Sequence, residues 1–162
     1  MREFALNTEF GLIFVAYNSL LHLHHASDLI SCFRAVARHL EPSGEFILEI
    51  FNPSPQWLAL PPGERRKIGT CHHPTLGEVT VEQTLLYDSL TQVSRETWFY
   101  STSEQPDFRT HPLELRNIYP QELPLLLERG GLRLIKRFGG YDRRPFISGS
   151  SLQVCLCGRA AK

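Results

Sequence analysis

The sequence predicts an α/β fold that carries a strand-rich insertion. Three observations lead to this prediction: two mainly apolar segments of strand length, a helical stripe between them, and a later stretch in which apolar and polar residues alternate. A continuous apolar run is typical of a parallel strand covered on both faces, whereas alternation is typical of an antiparallel strand with one face in water. With 162 residues, 42% of them apolar, the chain is long enough for one globular domain.

The first predicted unit is a parallel crossover of strand, helix and strand. Residues 10–17 form a continuous apolar run, and residues 45–51, Glu-Phe-Ile-Leu-Glu-Ile-Phe, form the second predicted strand. Between them, residues 26–40 repeat apolar side chains at steps of three and four, which predicts a helix with one buried stripe. The sequence Glu-Pro-Ser-Gly at residues 41–44 is expected to end this helix. Parallel strands need such a connection, so the pattern predicts two neighbouring parallel strands.

The character of the chain changes after Pro53, where several prolines mark a loop with a helical turn around residues 56–58. The alternating segments 78–87 and 92–100 predict an antiparallel hairpin, and 66–71 and 109–117 are candidate flanking strands. Residues 120–129 predict a short helix with Pro120 in its first position and Gly130-Gly131 after its end, and two closing strands follow at 132–138 and 151–158. We therefore expect a single domain, 1–162, in which 1–53 and 118–162 form the sheet and its helices and 54–117 form the insertion.

Charge and composition exclude several classes of partner. Lys plus Arg and Asp plus Glu both number 17, so no net field favours nucleic acid or an acidic membrane. No apolar run reaches the roughly 20 residues that span a bilayer, and the first residues lack the order of a secretory signal. The four cysteines form no disulfide framework. These features predict a cytoplasmic protein with reduced thiols.

The order of these elements resembles that of class I S-adenosylmethionine-dependent methyltransferases that act on small molecules and carry a strand-rich cover after the fifth strand. Residues 14–23, 40–53 and 119–132 carry the resemblance most specifically, and it extends over nearly the whole chain. It implies a sheet order of 3-2-1-4-5-7-6, of which this chain would supply strands 4, 5, 7 and 6. The expected fold is thus a partial Rossmann-like sheet with an antiparallel insertion as its cover.

The part of such enzymes that holds the nucleotide has no counterpart in this sequence. There is no Gly-rich turn between a first strand and a helix, followed about 20 residues later by an acidic residue. Gly130-Gly131 and Gly139-Gly140 do not follow a strand and open a helix. We expect the chain to be the C-terminal portion of a longer enzyme that pairs with the missing N-terminal half, or to form a homodimer through the exposed edge of residues 10–17.

The resemblance also implies which residues would contact the cofactor. Asn18 and Ser19 follow the first strand at the end where open parallel sheets bind ligands. In the family this turn lies against the methionine part of S-adenosylmethionine, and Leu23 belongs to the same turn; Met1 lies in the segment expected near the adenine. The alternative is that Asn18 and Ser19 only satisfy backbone groups in a tight turn.

Two residues are candidates for the transfer step itself. An imidazole titrates near neutrality, so His22 is the candidate general base that takes a proton from an amine or hydroxyl acceptor. Asn52 follows the second strand, and its loop is expected to converge with the first. A histidine that only forms hydrogen bonds within the turn is the alternative for His22.

Aromatic side chains are the candidates for binding the small-molecule acceptor, although cross-strand packing is the alternative for those on the hairpin. The candidate acceptor-binding residues are Phe51, Trp98, Tyr119 and Tyr141. The histidine groups at 22–25 and 71–73 lack the spaced pairs that surround a tetrahedral ion, so we expect no metal.

The predicted function is transfer of a methyl group from S-adenosylmethionine to a nitrogen or oxygen nucleophile of a small molecule. An in-line displacement mainly requires alignment and exclusion of water, so it needs few signature side chains. One alternative is a noncatalytic remnant that acts as a dimerising or partner-binding module. Another is a strand-rich binder of a different small ligand.

Overall fold

The computed structural model describes residues 1–160, which divide into two compact units. Met1–Pro53 and the chain from Arg116 onward form the first unit, and Ser54–Leu115 forms the second. The strands are β1 (Phe10–Val15), β2 (Leu40–Phe51), β3 (Arg66–His73), β4 (Gly77–Asp88), β5 (Val93–Ser101), β6 (Arg109–Arg116), β7 (Leu132–Phe138) and β8 (Leu152–Arg159). The helices are α1 (Ala26–His39), α2 (Pro55–Leu58) and α3 (Glu122–Arg129), and a 3-10 turn spans Ser19–His22.

The first unit contains a mixed four-stranded sheet in the order β1-β2-β8-β7. β1 and β2 are parallel and joined through α1, whereas β8 runs antiparallel to both β2 and β7. β1 therefore forms one edge of this sheet, although its sequence is the apolar run expected of a central strand.

Helices α1 and α3 cover one face of this sheet. α1 contacts β2, β7 and α3, and α3 contacts β7. The helical stripe predicted from the sequence is the side that is buried: Phe33 is fully buried and meets Phe46 of β2 edge to face, with ring centroids 6.2 Å apart. The largest fully buried side chains of this unit include Leu20, Leu29, Phe33, Leu40, Phe46, Leu48, Ile50, Leu123, Leu127 and Leu132.

The opposite face of the same sheet stays accessible. Leu12, Phe14 and Phe51 point to this face and are 54%, 71% and 51% exposed. The register pairs Phe14 with Ile47, and Ile47 with Leu156 of β8, so the apolar surface continues across three strands. We call the surface formed by Leu12, Phe14, Ile47, Phe51 and Leu156 the open apolar face.

The N-terminal segment is attached to α1 through His39. The backbone N–H of Leu6 donates to His39 Nε2 at 2.9 Å, while His39 Nδ1 lies 2.6 Å from the carbonyl oxygen of Ala35. Because Nε2 accepts a hydrogen bond, Nδ1 carries the proton and donates to Ala35. The ring of Phe4 packs on the same imidazole with centroids 4.7 Å apart.

The second unit is an antiparallel sheet in the order β3-β4-β5-β6, and α2 packs against β4. The predicted hairpin is β4 and β5. Its turn is held by Asp88, whose carboxylate accepts from Leu90 N and Thr91 Oγ1, and these bonds lower the pKa of Asp88. On β5, Trp98 Nε1 donates to Glu96 at 3.0 Å, and burial of Glu96 raises the pKa of its carboxyl group.

Several predicted boundaries are wrong by a few residues, each for a local reason. β1 ends at Val15 rather than at residue 17, because Tyr17 and Asn18 take left-handed φ angles of 57° and 58°. The Pro-Ser-Gly segment after α1 does not form a separate stop, since β2 already begins at Leu40. Pro120 is not the first residue of α3, which begins at Glu122.

No helix within residues 1–160 has both the length and the apolar character needed to cross a membrane.

Candidate active site

The carboxyl ends of β1 and β2 lie at the same edge of the sheet because the two strands are parallel. Asn18 connects the two loops that leave this edge: its Oδ1 accepts a hydrogen bond from Phe51 N at 2.6 Å. Ser19 Oγ donates to the carbonyl oxygen of Ala16 at 2.7 Å. Both polar side chains thus stabilise the turn.

A buried carboxylate joins the loop after β1 to the loop between β7 and β8. Glu49 on β2 is only 4% exposed, and its Oε2 accepts from Tyr17 N at 2.6 Å and from the Tyr141 hydroxyl at 2.9 Å. The hydrogen bond to Glu49 raises the pKa of Tyr141, since it stabilises the protonated phenol. The pair therefore presents an acceptor carboxylate and a protonated hydroxyl at the end of the sheet.

Asn52 has one amide atom that is engaged and one that is not. Its Nδ2 donates to the carbonyl oxygen of Ser150 at 2.8 Å, and its backbone N–H donates to the carbonyl oxygen of Ser151 at 2.9 Å. Its Oδ1 is buried and has no hydrogen-bond partner among residues 1–160. A buried acceptor without a donor costs free energy, so this oxygen is suited to receive a donor from a bound molecule.

The loop between β7 and β8 carries Tyr141 and is closed by its own hydrogen bonds. Gly139 N donates to Arg144 O at 2.9 Å, and Arg144 Nε donates back to Gly139 O at 3.1 Å. Ser150 Oγ accepts from Ile147 N at 3.0 Å near the end of the loop. Tyr141 itself is 68% exposed, so its ring can form contacts beyond the one with Glu49.

Five predicted site residues are brought to one edge: Asn18, Ser19, Phe51, Asn52 and Tyr141.

Two further predicted residues, His22 and Leu23, lie at the end of the 3-10 turn that follows Asn18. His22 is exposed on the 3-10 turn, and no hydrogen bond within residues 1–160 joins it to Glu49 or Asn52. Met1 is exposed, and Leu23 donates its backbone N–H to Leu20 O.

The other two predicted acceptor-binding aromatic residues, Trp98 and Tyr119, form structural hydrogen bonds of their own. Trp98 belongs to the second unit and is bonded to Glu96. The carbonyl oxygen of Tyr119 accepts from Glu122 N and Leu123 N at the start of α3.

Glu49 is not among the site residues predicted from the sequence. A signal was present, because Glu49 is the only charged residue in the apolar run from Phe46 to Phe51. A carboxylate that is only 4% exposed requires hydrogen-bond donors, and the fold supplies them from Tyr17 and Tyr141.

No group of three or more histidine, cysteine, aspartate or glutamate side chains in the described part of the chain is arranged to hold a metal ion.

Comparison with known proteins gives the class of this fold. No family model and no curated protein sequence matches the chain. Among solved structures, the chain is similar to the CcbJ methyltransferase from Streptomyces caelestis, with 27% sequence identity and a TM-score of 0.83 over 99% of this chain and 61% of that one. It is also similar to an S-adenosylmethionine-dependent methyltransferase from Clostridium acetobutylicum, with 17% identity and a TM-score of 0.79 over 99% of this chain and 62% of that one.

A third similar structure is CalS10, an amino pentose methyltransferase from Micromonospora echinaspora solved with S-adenosylmethionine bound, at 16% identity and a TM-score of 0.69 over 98% of this chain and 62% of that one. These likenesses support a class I S-adenosylmethionine-dependent methyltransferase fold for this chain. The chain spans about three fifths of the length of these structures.

Proposed function

We propose that this chain takes part in methyl transfer from S-adenosylmethionine to a nitrogen or oxygen nucleophile of a small molecule, as the C-terminal part of a longer enzyme. The observation that carries the proposal is the similarity of 99% of the chain to the CcbJ methyltransferase at a TM-score of 0.83. The polar edge formed by Asn18, Glu49, Asn52 and Tyr141 supports it, because open parallel sheets bind ligands at the carboxyl ends of their strands.

The turn after β1 is the proposed contact for the methionine part of the cofactor, through Asn18, Ser19 and Leu23, and Met1 is proposed near the adenine. The left-handed φ angles of Tyr17 and Asn18 turn the chain sharply there, directly after β1. The described residues fit this end of the cofactor but offer no Gly-rich turn for the nucleotide end. Bound S-adenosylmethionine supplies an electrophilic methyl group on a sulfonium.

The acceptor end is proposed around Glu49, Asn52 and Tyr141. The Asn52 Oδ1 atom can accept a hydrogen bond from an amine or hydroxyl group, and the Glu49 carboxylate favours a group that becomes positively charged. An amine that accepts a methyl group must lose a proton, and His22 and Glu49 are the proposed bases for it. Phe51, Trp98 and Tyr119 are the further proposed acceptor contacts.

The missing nucleotide-binding portion is the proposed partner of the open apolar face and of the β1 edge. Leu12 and Phe14 expose more than half of their surface there. A longer chain, or a second polypeptide, would cover this surface and supply the Gly-rich turn. The four free cysteines support a reducing compartment, and we propose a cytoplasmic location.

The decisive experiment supplies the missing portion from a known enzyme. The part of the CcbJ methyltransferase that this chain does not match would be fused to the chain, and S-adenosylmethionine would be titrated into the product by calorimetry. We expect saturable binding in the micromolar range by the fusion and none by the chain alone. A folded fusion that binds no S-adenosylmethionine would contradict the proposal.

The acceptor end is tested in the same fusion with Glu49→Gln and Tyr141→Phe. We expect each substitution to lower kcat about tenfold or more, because charge stabilisation and proton removal at the acceptor are weakened. The affinity for S-adenosylmethionine should change less than about twofold. Glu45→Gln, on the same strand but exposed, is the matched control and should leave kcat unchanged.

A further inference from the structure

The sheet of the second unit carries a groove that plays no part in the proposed transfer site. The groove has a volume of about 430 Å³. Its lining includes Cys71, His73, Val79, Tyr100, Phe108 and Arg109. Sites for small molecules in proteins commonly have volumes of roughly 300–1,000 Å³. The groove therefore has the size of a ligand site, and it lies entirely within Ser54–Leu115.

Strand register places residues from three strands on one face of this sheet. Cys71 of β3 lies opposite Val79 of β4, and Val81, two residues further on the same face, lies opposite Tyr100 of β5. On β6, Arg109 and His111 are two residues apart and so point to one side. Residues that are distant in sequence thus line one groove, and Val79 and Phe108 contribute apolar surface to it.

The polar groups of the groove are hydrogen-bond donors, and one of them has a fixed positive charge. The side chain of Arg109 forms no ion pair and no hydrogen bond within residues 1–160, and no carboxylate lines the groove. His73 Nδ1 accepts from Thr75 N and Leu76 N at 3.2 Å each, so the neutral ring of His73 carries its proton on Nε2 and presents a donor. Tyr100, whose hydroxyl can donate a hydrogen bond, belongs to the same lining.

We propose that this groove binds a small molecule with an apolar ring and one carboxylate. A guanidinium forms two parallel hydrogen bonds with a carboxylate, and a single fixed cation matches a single negative charge. The donors of His73 and Tyr100 complete the recognition of the carboxylate oxygens, and the ring packs on Val79 and Phe108. The site goes beyond the proposed methyl transfer and requires no S-adenosylmethionine.

The test uses the chain by itself and benzoate as the probe. Benzoate, benzamide and phenyl phosphate would be titrated separately, with binding followed by changes in the amide resonances of residues 71–111. We expect saturable binding of benzoate that is at least about tenfold tighter than that of benzamide, since the amide lacks the charge that pairs with Arg109. Equal binding of benzoate and benzamide, or tighter binding of phenyl phosphate, would overturn the assignment of a carboxylate.

Variants locate the site. Arg109→Gln should weaken benzoate binding about tenfold, whereas Arg95→Gln should leave it unchanged. Arg95 is a matched control because it is an exposed arginine of the same sheet that pairs with Glu114 and does not line the groove. An equal loss in both variants would show nonspecific attraction to positive charge and would refute the site. Thermal unfolding of both variants checks that the sheet is intact.

Discussion

At the scale of single residues, burial raises the pKa of several side chains in both units of the chain. The Cys155 thiol is buried on β8, and desolvation raises its pKa to about 11; the pKa of Cys157 on the same face is raised further in the same direction. Glu96 is a carboxyl group with a raised pKa in the second unit, again chiefly because of burial. Cys71, by contrast, is exposed.

These differences predict the reactivity of the four thiols. A disulfide reagent attacks the thiolate, which needs both exposure and ionisation. At about pH 8 we expect the native chain to react at Cys71 alone, with Cys32, Cys155 and Cys157 reacting only after unfolding. Thiol titration with and without denaturant measures this. Cys71→Ser should abolish the native reaction, and a second fast equivalent in the native wild type would contradict the burial.

Glu96 predicts a dependence of stability on pH. The folded carboxyl group holds its proton more tightly than the unfolded one, so the free energy of unfolding falls as pH rises from the ordinary glutamate pKa, about 4.3, through the raised folded pKa. Glu96→Gln removes this titration. We therefore expect the stability of the variant relative to wild type to increase between about pH 4 and pH 7, measured by urea unfolding.

The matched control for this experiment is Glu104→Gln, because Glu104 is exposed in the loop before β6. Its stability relative to wild type should not follow the same pH profile. A Glu96→Gln curve parallel to that of wild type across this range would contradict the raised pKa.

The positions of some candidate residues could be predicted from the sequence, whereas those of others could not, for a physical reason. Asn18 and Asn52 follow strands directly, so their position at the sheet edge follows from strand direction. Glu49 bonds to Tyr141, 92 residues away, and the groove is lined by residues as distant in sequence as Cys71 and Arg109. Such long-range pairings are set by tertiary packing and leave no local pattern.

At the scale of elements, the end of α3 packs closely on α1. A Cβ atom at Gly130 would overlap the side chain of Phe33 on α1. Gly131, the next residue, has a φ of +80°, which reverses the chain toward β7. The two glycines thus have different functions: the first permits close approach of two helices, and the second permits the turn.

This packing predicts that adding a single methyl group at Gly130 lowers the stability of the chain. Gly130→Ala should destabilise the chain by about 1–3 kcal/mol, because the added Cβ forces α3 away from Phe33. Urea unfolding measures the change. Gly149→Ala is the matched control, since a Cβ there meets nothing within 4 Å, and it should change stability by less than about 0.5 kcal/mol. Equal stability of both variants would mean that α1 and α3 are less tightly packed than described.

The existence of the strands and helices was predictable, whereas their ends were less so. The mainly apolar segments predicted β1 and β2, and the alternating segments predicted β4 and β5. Such patterns are informative because a strand buried on one face alternates apolar and polar residues, whereas a strand buried on both faces does not. The start of α3 was misplaced because Pro120 has the φ expected of a first helical residue. The helix instead begins after Gln121 and includes Pro124 in its first turn, where a missing N–H costs no helical hydrogen bond.

At the scale of the whole molecule, the open apolar face is the largest departure from the usual distribution of side chains in a water-exposed sheet. Phe14 is 71% exposed in an edge strand whose backbone groups have a partner on one side only. Contiguous apolar surface next to an unpaired strand edge favours association with other chains.

We therefore expect the isolated chain to self-associate at tens of micromolar. Sedimentation velocity over a range of concentrations should show species larger than a monomer, and Phe14→Glu should shift them toward the monomer by placing a charge on the face. Leu90→Glu is the control, because Leu90 is 92% exposed in the β4–β5 turn. A single monomeric species for wild type at about 50 micromolar would contradict the expectation.

The open apolar face also has a consequence for the amount of this chain in a cell. Exposed apolar surface is what chaperones and proteases recognise in incompletely assembled proteins. We expect the lifetime of the chain to depend on whether Leu12 and Phe14 are covered, so that its abundance follows the supply of the covering partner more closely than its own rate of synthesis.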